Sequence, residues 1–347
     1  MIASYKQHIL QFKRPSGTSR GILHQKETWF IILEENGKKG IGECGLLRGL
    51  SIDDRGDYEE KLQWVCNNIN LGLVSLYDSL ADFPSIQFGL EQAFLSLESN
   101  DPFILFPSDF TLGKNPISIN GLVWMGEKKF MRKQIIQKID AGFKCVKLKI
   151  GAIEFQDEIN LLNFIRKEFS SDDIEIRVDA NGAFSPEDAF DKLNQLSKFE
   201  LHSIEQPIKQ GQLEEMARLC EITPLPIALD EELIGVLDNN QKKEIIETIN
   251  PQYIILKPSL IGGYSGSQDW IDFAEEHGIG WWVTSALESN IGLNAIAQWT
   301  STLNNGMPQG LGTGGLYTNN FDSPLEVKNG FLHCNPELNW DIKILDN

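Results

Sequence analysis

Five short apolar runs within residues 145–260 decide the fold: CVKLKIG (145–151), IEIRVDANG (174–182), LHSIEQPI (201–208), LPIALDEE (225–232) and YIILKPSL (253–260). The charged residues that close their apolar parts recur every 25 to 30 positions: Lys149, Asp179, Glu205, Asp230 and Lys257. A step of that length holds one strand and one helix, so the spacing predicts a parallel β-sheet with helices between its strands. Three further runs have the same character: ISINGLVWM (117–125), IGWWVTSAL (279–287) and QGLGTGG (309–315).

Eight such runs predict a closed α/β barrel. A doubly wound open sheet has the same rhythm and is the alternative. No GxGxxG follows a first strand, however, so nothing supports the dinucleotide-binding version of that sheet.

The two ends of the chain have a different style. ETWFIILEENGKKGIGECG (27–45) places Asn36-Gly37 between two β-prone runs, a strong hairpin signal, and helical patterns follow over roughly 55–80 and 85–99. PLEVKNGFLHC (324–334) repeats the hairpin signal at Asn329-Gly330. We therefore predict an α+β domain over 1–115, completed by 318–347, and a barrel domain over 116–317.

Composition restricts the class of protein. The 347 residues are 41% hydrophobic and 23% charged, as in globular proteins, and the net charge of −18 disfavours nucleic acid and anionic membranes as partners. The five cysteines form no CxxC pair, and no run approaches the roughly 18 apolar residues of a membrane span. The start resembles no signal peptide, so we expect a soluble, cytoplasmic protein with reduced thiols.

The barrel strands carry charge where buried strands are normally apolar. In CVKLKIG, Lys147 and Lys149 share one face, opposite Val146 and Leu148, and both lysines are expected to point into the barrel. By the same alternation three carboxylates point inward: Asp179, Glu205 and Asp230. Each alone is typical of a helix cap or turn, and a lone lysine usually reaches solvent. Together, at the rim where barrel enzymes keep their active sites, they indicate a functional site.

Three converging carboxylates need positive charge between them. An all-oxygen donor set favours Mg²⁺, with Mn²⁺ as a substitute, whereas zinc would recruit His or Cys. His202, three residues before Glu205, is interpreted as structural.

Six segments of the chain resemble, in their order, the motifs of the enolase superfamily in its muconate-lactonizing branch: KLK, VDANGAF, IEQP, ALDE, LKP and TSALES. GIGECGLLRGLS (40–51) is similar, more weakly, to the loop by which that family covers its pocket. The resemblance implies a modified TIM barrel, (β/α)7β, with an α+β capping domain built from both chain ends. It also implies Mg²⁺ on Asp179, Glu205 and Asp230, Lys149 as general base, Lys147 as its electrostatic neighbour and Lys257 on the opposite side of the substrate.

The activity that the resemblance implies best is a Mg²⁺-dependent dehydration in menaquinone biosynthesis. Water leaves 2-succinyl-6-hydroxy-2,4-cyclohexadiene-1-carboxylate by syn β-elimination and 2-succinylbenzoate forms. Racemisation of N-succinylamino acids uses the same lysines and ligands and is the alternative, with other reactions of this branch. A non-catalytic binding barrel is disfavoured because all six charged residues are present. GTGGLY (312–317) has no acid to hold a substrate amine, which disfavours dipeptide epimerisation.

Residues that would contact the substrate are predicted from three segments. TSALES (284–289) supplies Ser285 and Ser289, and GLGTGG (310–315) supplies Gly312 and Thr313. Asn181 follows Asp179, and either orients the metal site or forms a turn with Gly182. Arg20, in the loop with Thr18 and Ser19, could close over the pocket and meet a substrate anion, although a solvated arginine is the simpler interpretation.

Overall fold

The computed structural model describes residues 1–18 and 21–340. The chain begins with a three-stranded antiparallel sheet of β1 (Ile2–Thr18), β2 (Gly21–Glu35) and β3 (Lys38–Cys44), with β2 in the centre. The hairpin predicted at Asn36-Gly37 is confirmed. Both residues have the positive φ angles, 51° and 78°, that this two-residue turn requires.

Three helices follow this sheet: α1 (Tyr58–Asn67), α2 (Leu73–Asp78) and α3 (Pro84–Glu98). The helix predicted over 55–80 is divided, because a 3₁₀ turn at Ile69–Leu71 ends at Gly72 with φ of 81°. Helix α3 agrees with the pattern over 85–99 and is buried along most of its length. Its apolar side chains, with those of α1, share one core with the sheet.

The middle of the chain alternates strand and helix in the predicted rhythm. After β4 (Ile117–Ser118) the elements are β5 (Gly121–Val123), α4 (Lys128–Asp140), β6 (Cys145–Lys149), α5 (Phe155–Glu168), β7 (Glu175–Asp179), α6 (Pro186–Leu196), β8 (Ser203–Glu205), α7 (Leu213–Ile222), β9 (Ile227–Leu229), α8 (Asn239–Ile249), β10 (Tyr253–Leu256), α9 (Gly263–Glu276), β11 (Gly280–Val283) and α10 (Asn290–Thr302). Strands β5 to β11 form one parallel seven-stranded sheet in chain order.

The eighth run brings the two edges of this sheet together. Gln309 forms a parallel bridge with Ile119, just before β5, and Gly310 forms one with Thr284, just after β11. The sheet therefore curls into a barrel, and the open-sheet alternative is wrong.

The strands alternate as the sequence predicted. Val146, Leu148, Ile176 and Val178 are buried in one core with aliphatic side chains of the surrounding helices. The charged residues of the same strands lie on the other face, inside the barrel. Burying the aliphatic face favours this register, because a shift by one residue would expose it.

The tail forms a second hairpin of β12 (Leu325–Lys328) and β13 (Phe331–Cys334), with Asn329 and Gly330 at positive φ in the turn. Strand β13 pairs with β4, whereas the preceding segment runs along β1, where Tyr317 bridges Phe12. The tail thus contacts both parts of the molecule. The domain limits at 115 and 318 stay a prediction, and residues 341–347 lie outside the described residues.

The helices within the described residues are short. The 15 residues of α3 are the most in any of them, and none of these helices is long and apolar enough to cross a membrane.

Candidate active site

Six charged side chains meet at the carboxyl ends of neighbouring strands β6 to β10: Lys147, Lys149, Asp179, Glu205, Asp230 and Lys257. The parallel register sets Lys149 beside Asp179 and Asp179 beside Glu205. Asp230 and Lys257 directly follow β9 and β10. The structure therefore brings together all the charged residues that strand alternation placed inside the barrel.

The lysines and carboxylates of this cluster form ion pairs. Lys147 Nζ lies 2.9 Å from Asp179 Oδ2 and also donates to Glu205 Oε2. Lys149 Nζ donates to the same Asp179 oxygen at 2.8 Å. On the far side, Lys257 Nζ donates to Asp230 Oδ2. The carboxylates are at most 3% exposed, so these charges are shielded from water and depend on one another.

Burial and opposite charge act against each other here. Burial alone would lower the pKa of Lys147, but the carboxylates of Asp179 and Glu205 outweigh it and raise that pKa. Burial would raise the pKa of Asp179, yet Lys147 and Lys149 hold it below its usual range. Burial, together with the charge of Asp179, raises the pKa of Glu205 well above its usual value. The carboxylates thus compete for positive charge.

Asn181 connects this cluster to a residue that the sequence reasoning missed. Its Oδ1 accepts a hydrogen bond from Lys149 Nζ at 2.7 Å, and its Nδ2 donates to Glu231 Oε1 at 2.8 Å. Its φ of 45° is left-handed, a conformation that asparagine tolerates better than most residues. The glutamate fixes which way the amide points, so the oxygen faces the lysine.

A cavity is lined by the three lysines of the cluster together with Asn181 and Glu231. Ser285, Gly312 and Thr313 line the same cavity. Ser285 Oγ and Thr313 Oγ1 are 2.8 Å apart. These predicted substrate contacts therefore lie around one pocket.

Two predicted contacts are not brought there. Ser289 is fully buried and its hydroxyl donates to Glu43, a residue of β3, at 2.5 Å. Arg20, with Ser19, lies outside the described residues. His202 lies one residue before β8, 3.0 Å from Ser203 Oγ and packed against Tyr253, which agrees with a structural role.

The apolar wall of the cavity was missed from the sequence. Its larger side chains are leucines and one tryptophan: Leu47, Leu50, Leu122, Trp124, Leu287 and Leu316. Leu47 and Leu50 belong to the segment GIGECGLLRGLS, whose similarity to the pocket-covering loop of the family could have indicated them. Trp124 directly follows β5, a position where side chains reach the rim of a barrel.

The donor set suits a hard divalent cation. Among the described residues no three His, Cys, Asp or Glu side chains group closely enough to hold a metal ion as they stand. The lysine ammonium groups lie against one oxygen of each carboxylate. Yet Glu205 Oε1 and Asp230 Oδ1 are buried without a hydrogen-bond partner, which is the condition of a carboxylate oxygen that a cation would satisfy.

Comparison with known proteins agrees with this geometry. The family model described as enolase C-terminal domain-like matches residues 131–337. An o-succinylbenzoate synthase from Desulfotalea psychrophila (strain LSv54 / DSM 12343) is 48% identical, over 96% of this chain and 98% of that protein. The crystal structure of MenC from Desulfotalea psychrophila LSv54 has a TM-score of 0.85 and 46% identity, covering 96% of this chain and 99% of that one.

A more distant structure shares the architecture. The muconate lactonizing enzyme from Pseudomonas fluorescens, complexed with muconolactone, has a TM-score of 0.83 at 23% identity, over 99% of this chain and 97% of that one. The fold is thus the modified TIM barrel, (β/α)7β, with an α+β capping domain. On the family model and the 48% identity, this chain belongs to the enolase superfamily.

Proposed function

We propose that the chain catalyses the o-succinylbenzoate synthase reaction. It would remove water from 2-succinyl-6-hydroxy-2,4-cyclohexadiene-1-carboxylate to give 2-succinylbenzoate for menaquinone. The observation that carries this proposal is the cavity between Lys149 and Lys257, above three buried carboxylates, in a chain 48% identical to a protein of that name. A cytoplasmic location stays a prediction.

Lys149 is the proposed general base. A neutral amine has two N–H groups and one lone pair, and the N–H groups have acceptors in Asp179 Oδ2 and Asn181 Oδ1. Because the lysine lines the cavity, the remaining tetrahedral position faces the substrate. In this geometry the lone pair can take the proton from carbon 1, next to the carboxylate.

The other charged residues stabilise the enediolate that this step creates. Asp179, Glu205 and Asp230 would hold Mg²⁺, or Mn²⁺ in its place, which supplies positive charge for the substrate carboxylate. Lys257 approaches from the side of Asp230 and sets its ammonium group against the ring, whereas Lys147 keeps the carboxylates paired.

The reaction balances without an oxidant. The C–H bond at carbon 1 and the C–O bond at carbon 6 break, and the hydroxyl leaves as water with the proton that Lys149 carries. The ring becomes aromatic. We propose that Leu47, Leu50 and Trp124 pack against it, and that Ser285 and Thr313 donate to the succinyl carboxylate.

The first test follows absorbance of the diene with purified protein and Mg²⁺. The wild-type protein should remove the diene band, and Lys149→Ala should slow this by at least about 10³-fold, since the proton then has no positioned acceptor. Lys257→Ala should also be severely impaired. Lys144→Ala, an exposed lysine just before β6, is the matched control and should retain full activity.

The result that contradicts the proposal is a diene band stable to the wild-type protein. If the same protein exchanges the α-proton of N-succinylamino acids in D₂O, the activity is racemisation, and the residues proposed for proton transfer stand.

A further inference from the structure

Two buried glutamates of the N-terminal part each bind the N-terminus of a barrel helix. Glu43, on β3, accepts hydrogen bonds from Ser289 N (2.9 Å), Ser289 Oγ (2.5 Å) and Gly292 N (2.8 Å) at the start of α10. Glu91, on α3, accepts from Tyr264 N (2.6 Å) and from Ser265 N (3.0 Å) at the start of α9. A carboxylate at a helix N-terminus satisfies free N–H groups and the helix dipole.

Glu43 is part of a larger charged cluster. Lys26, on β2, is 4% exposed, and its ammonium group has no hydrogen-bond partner within the described residues. Burial lowers the pKa of Lys26, and the negative charges of Glu43 and Glu288 oppose that shift without cancelling it. Glu288 is fully buried and accepts from Ser259 Oγ at 2.5 Å. The hydrogen bonds of Glu43 to Ser289 therefore join β3 to the end of segment 285–289, next to these buried charges.

Segment 285–289 forms part of the pocket wall. Ser285 and Leu287 line the cavity that holds the lysines. Leu287 has a φ of 67°, a left-handed conformation that costs a leucine free energy and persists only where neighbours impose it. Within the segment its N–H donates to Ser285 Oγ at 3.0 Å, and Tyr317 Oη donates to its carbonyl at 2.7 Å.

We propose that Glu43 is a positioning residue of the active site. By holding Ser289 and Gly292, it keeps Leu287 in its strained conformation and Ser285 in the wall of the cavity. This inference rests on the proposed function, because it makes Glu43 necessary for binding the part of the substrate away from the reacting carbon. The lysines lie on β6 and after β10, outside the segment. Loss of Glu43 should therefore affect KM more than kcat.

Glu43→Gln tests this directly. Each carboxylate oxygen accepts a backbone N–H, from Ser289 or from Gly292, and the amide nitrogen of glutamine must face one of these donors. We expect KM for the cyclohexadiene substrate to rise roughly tenfold, with kcat changed less than about threefold. Amide hydrogen exchange over 285–289 should become faster in the ligand-free protein.

Gly292→Ala is a second variant that keeps the glutamate. A Cβ at this position would lie 2.8 Å from Glu43 Oε2 and 2.9 Å from Glu288 Cβ, so it would displace both glutamate side chains, although alanine suits the helix backbone. It should raise KM as Glu43→Gln does. If Glu43→Gln folds poorly, Gly292→Ala provides the test instead.

Glu91→Gln is the matched control, since it removes the same kind of helix cap at the same contact between the two parts. Neither Tyr264 nor Ser265 lines the cavity, so KM and exchange over 285–289 should stay at wild-type values. An unchanged KM in both Glu43→Gln and Gly292→Ala would overturn the proposal, as would an equal rise in Glu91→Gln. If wild-type protein leaves the diene intact, the proposed function fails, while hydrogen exchange in Glu43→Gln still decides whether Glu43 holds the segment.

Discussion

Asp179 uses its two oxygens differently. Oδ2 accepts from both Lys147 and Lys149, at 2.9 and 2.8 Å, whereas Oδ1 accepts from the backbone N–H of Asn181 at 3.0 Å. Its negative charge is therefore shared between two lysine side chains. An amide in its place would carry no charge and would direct N–H groups at an ammonium or at a backbone N–H.

Asp179→Asn should weaken Mg²⁺ binding by at least about tenfold, because one of three anionic donors is lost. Isothermal titration of the metal-free protein with Mg²⁺ measures this without any substrate. Asp172→Asn, the same change at an exposed residue, is the control for net charge. Equal affinity of Asp179→Asn and wild type would exclude Asp179 as a ligand.

For single residues, the sequence predicted the position of a side chain where that position depends on one strand alone. Lys147, Asp179 and Glu205 follow from strand alternation, because a charge on a buried strand needs a partner. Ser289 does not follow in this way. Its partner, Glu43, is 246 residues away on another sheet, and nothing in the sequence near Ser289 shows that its hydroxyl points away from the pocket.

Strands, helices and turns were predictable where the sequence pattern that specifies them lies within the element itself. The spacing of strands and the two Asn-Gly turns depend on a few neighbouring residues, and the structure has them as expected. The pairing of β13 with β4 joins positions more than 200 residues apart and leaves no periodic trace in either segment. Strands as short as β4, with two residues, carry too little pattern to be read.

Helix α8 begins with a side-chain cap. Asp238 Oδ1 accepts hydrogen bonds from Asn240 N at 3.0 Å and Gln241 N at 3.1 Å, which satisfies two free N–H groups of the first turn. Asp238→Ala should lower the free energy of unfolding by about 1 kcal/mol, seen as a lower urea midpoint.

Two variants separate the cap from the charge. Asp238→Asn keeps an acceptor oxygen and should stay near wild-type stability, and Glu244→Ala removes an exposed acid in the middle of the same helix at little cost. A loss of stability in Asp238→Asn as large as in Asp238→Ala would mean that charge, not capping, stabilises this helix.

In the whole molecule, which has a net charge of −18, buried acids hold one segment of the chain against another. Asp53, in the segment between β3 and α1, is one of them. Its Oδ2 accepts from Ser85 N at 2.9 Å and Ser85 Oγ at 2.6 Å. Burial, only partly offset by these bonds, raises its pKa from 3.8 to about 6. The pKa of its neighbour Asp54 is shifted in the opposite direction, because Arg48 and the N–H of Gly49 hold it below its usual value despite partial burial.

The pH dependence of stability should separate these neighbouring aspartates. The folded pKa of Asp53 lies above its unfolded value, so wild-type stability from this group is complete below about pH 4 and is lost as pH rises to about 6. Asn at position 53 can accept from both Ser85 groups without titrating. The stability of Asp53→Asn relative to wild type should therefore improve by on the order of 2–3 kcal/mol between pH 4 and 7, measured as urea midpoints.

For Asp54→Asn, the pH dependence of stability relative to wild type should have the opposite sign and should lie at lower pH. The folded pKa of Asp54 is lowered, so wild type is favoured over the variant at neutral pH, and this advantage disappears only as pH falls below about 4. Between pH 4 and 7 its difference from wild type should stay level. A level difference for Asp53→Asn over the same range would show that the Asp53 carboxylate is ionised at no cost in the folded protein, and that the segment reaching Leu47 and Leu50 is held by packing rather than by a buried acid.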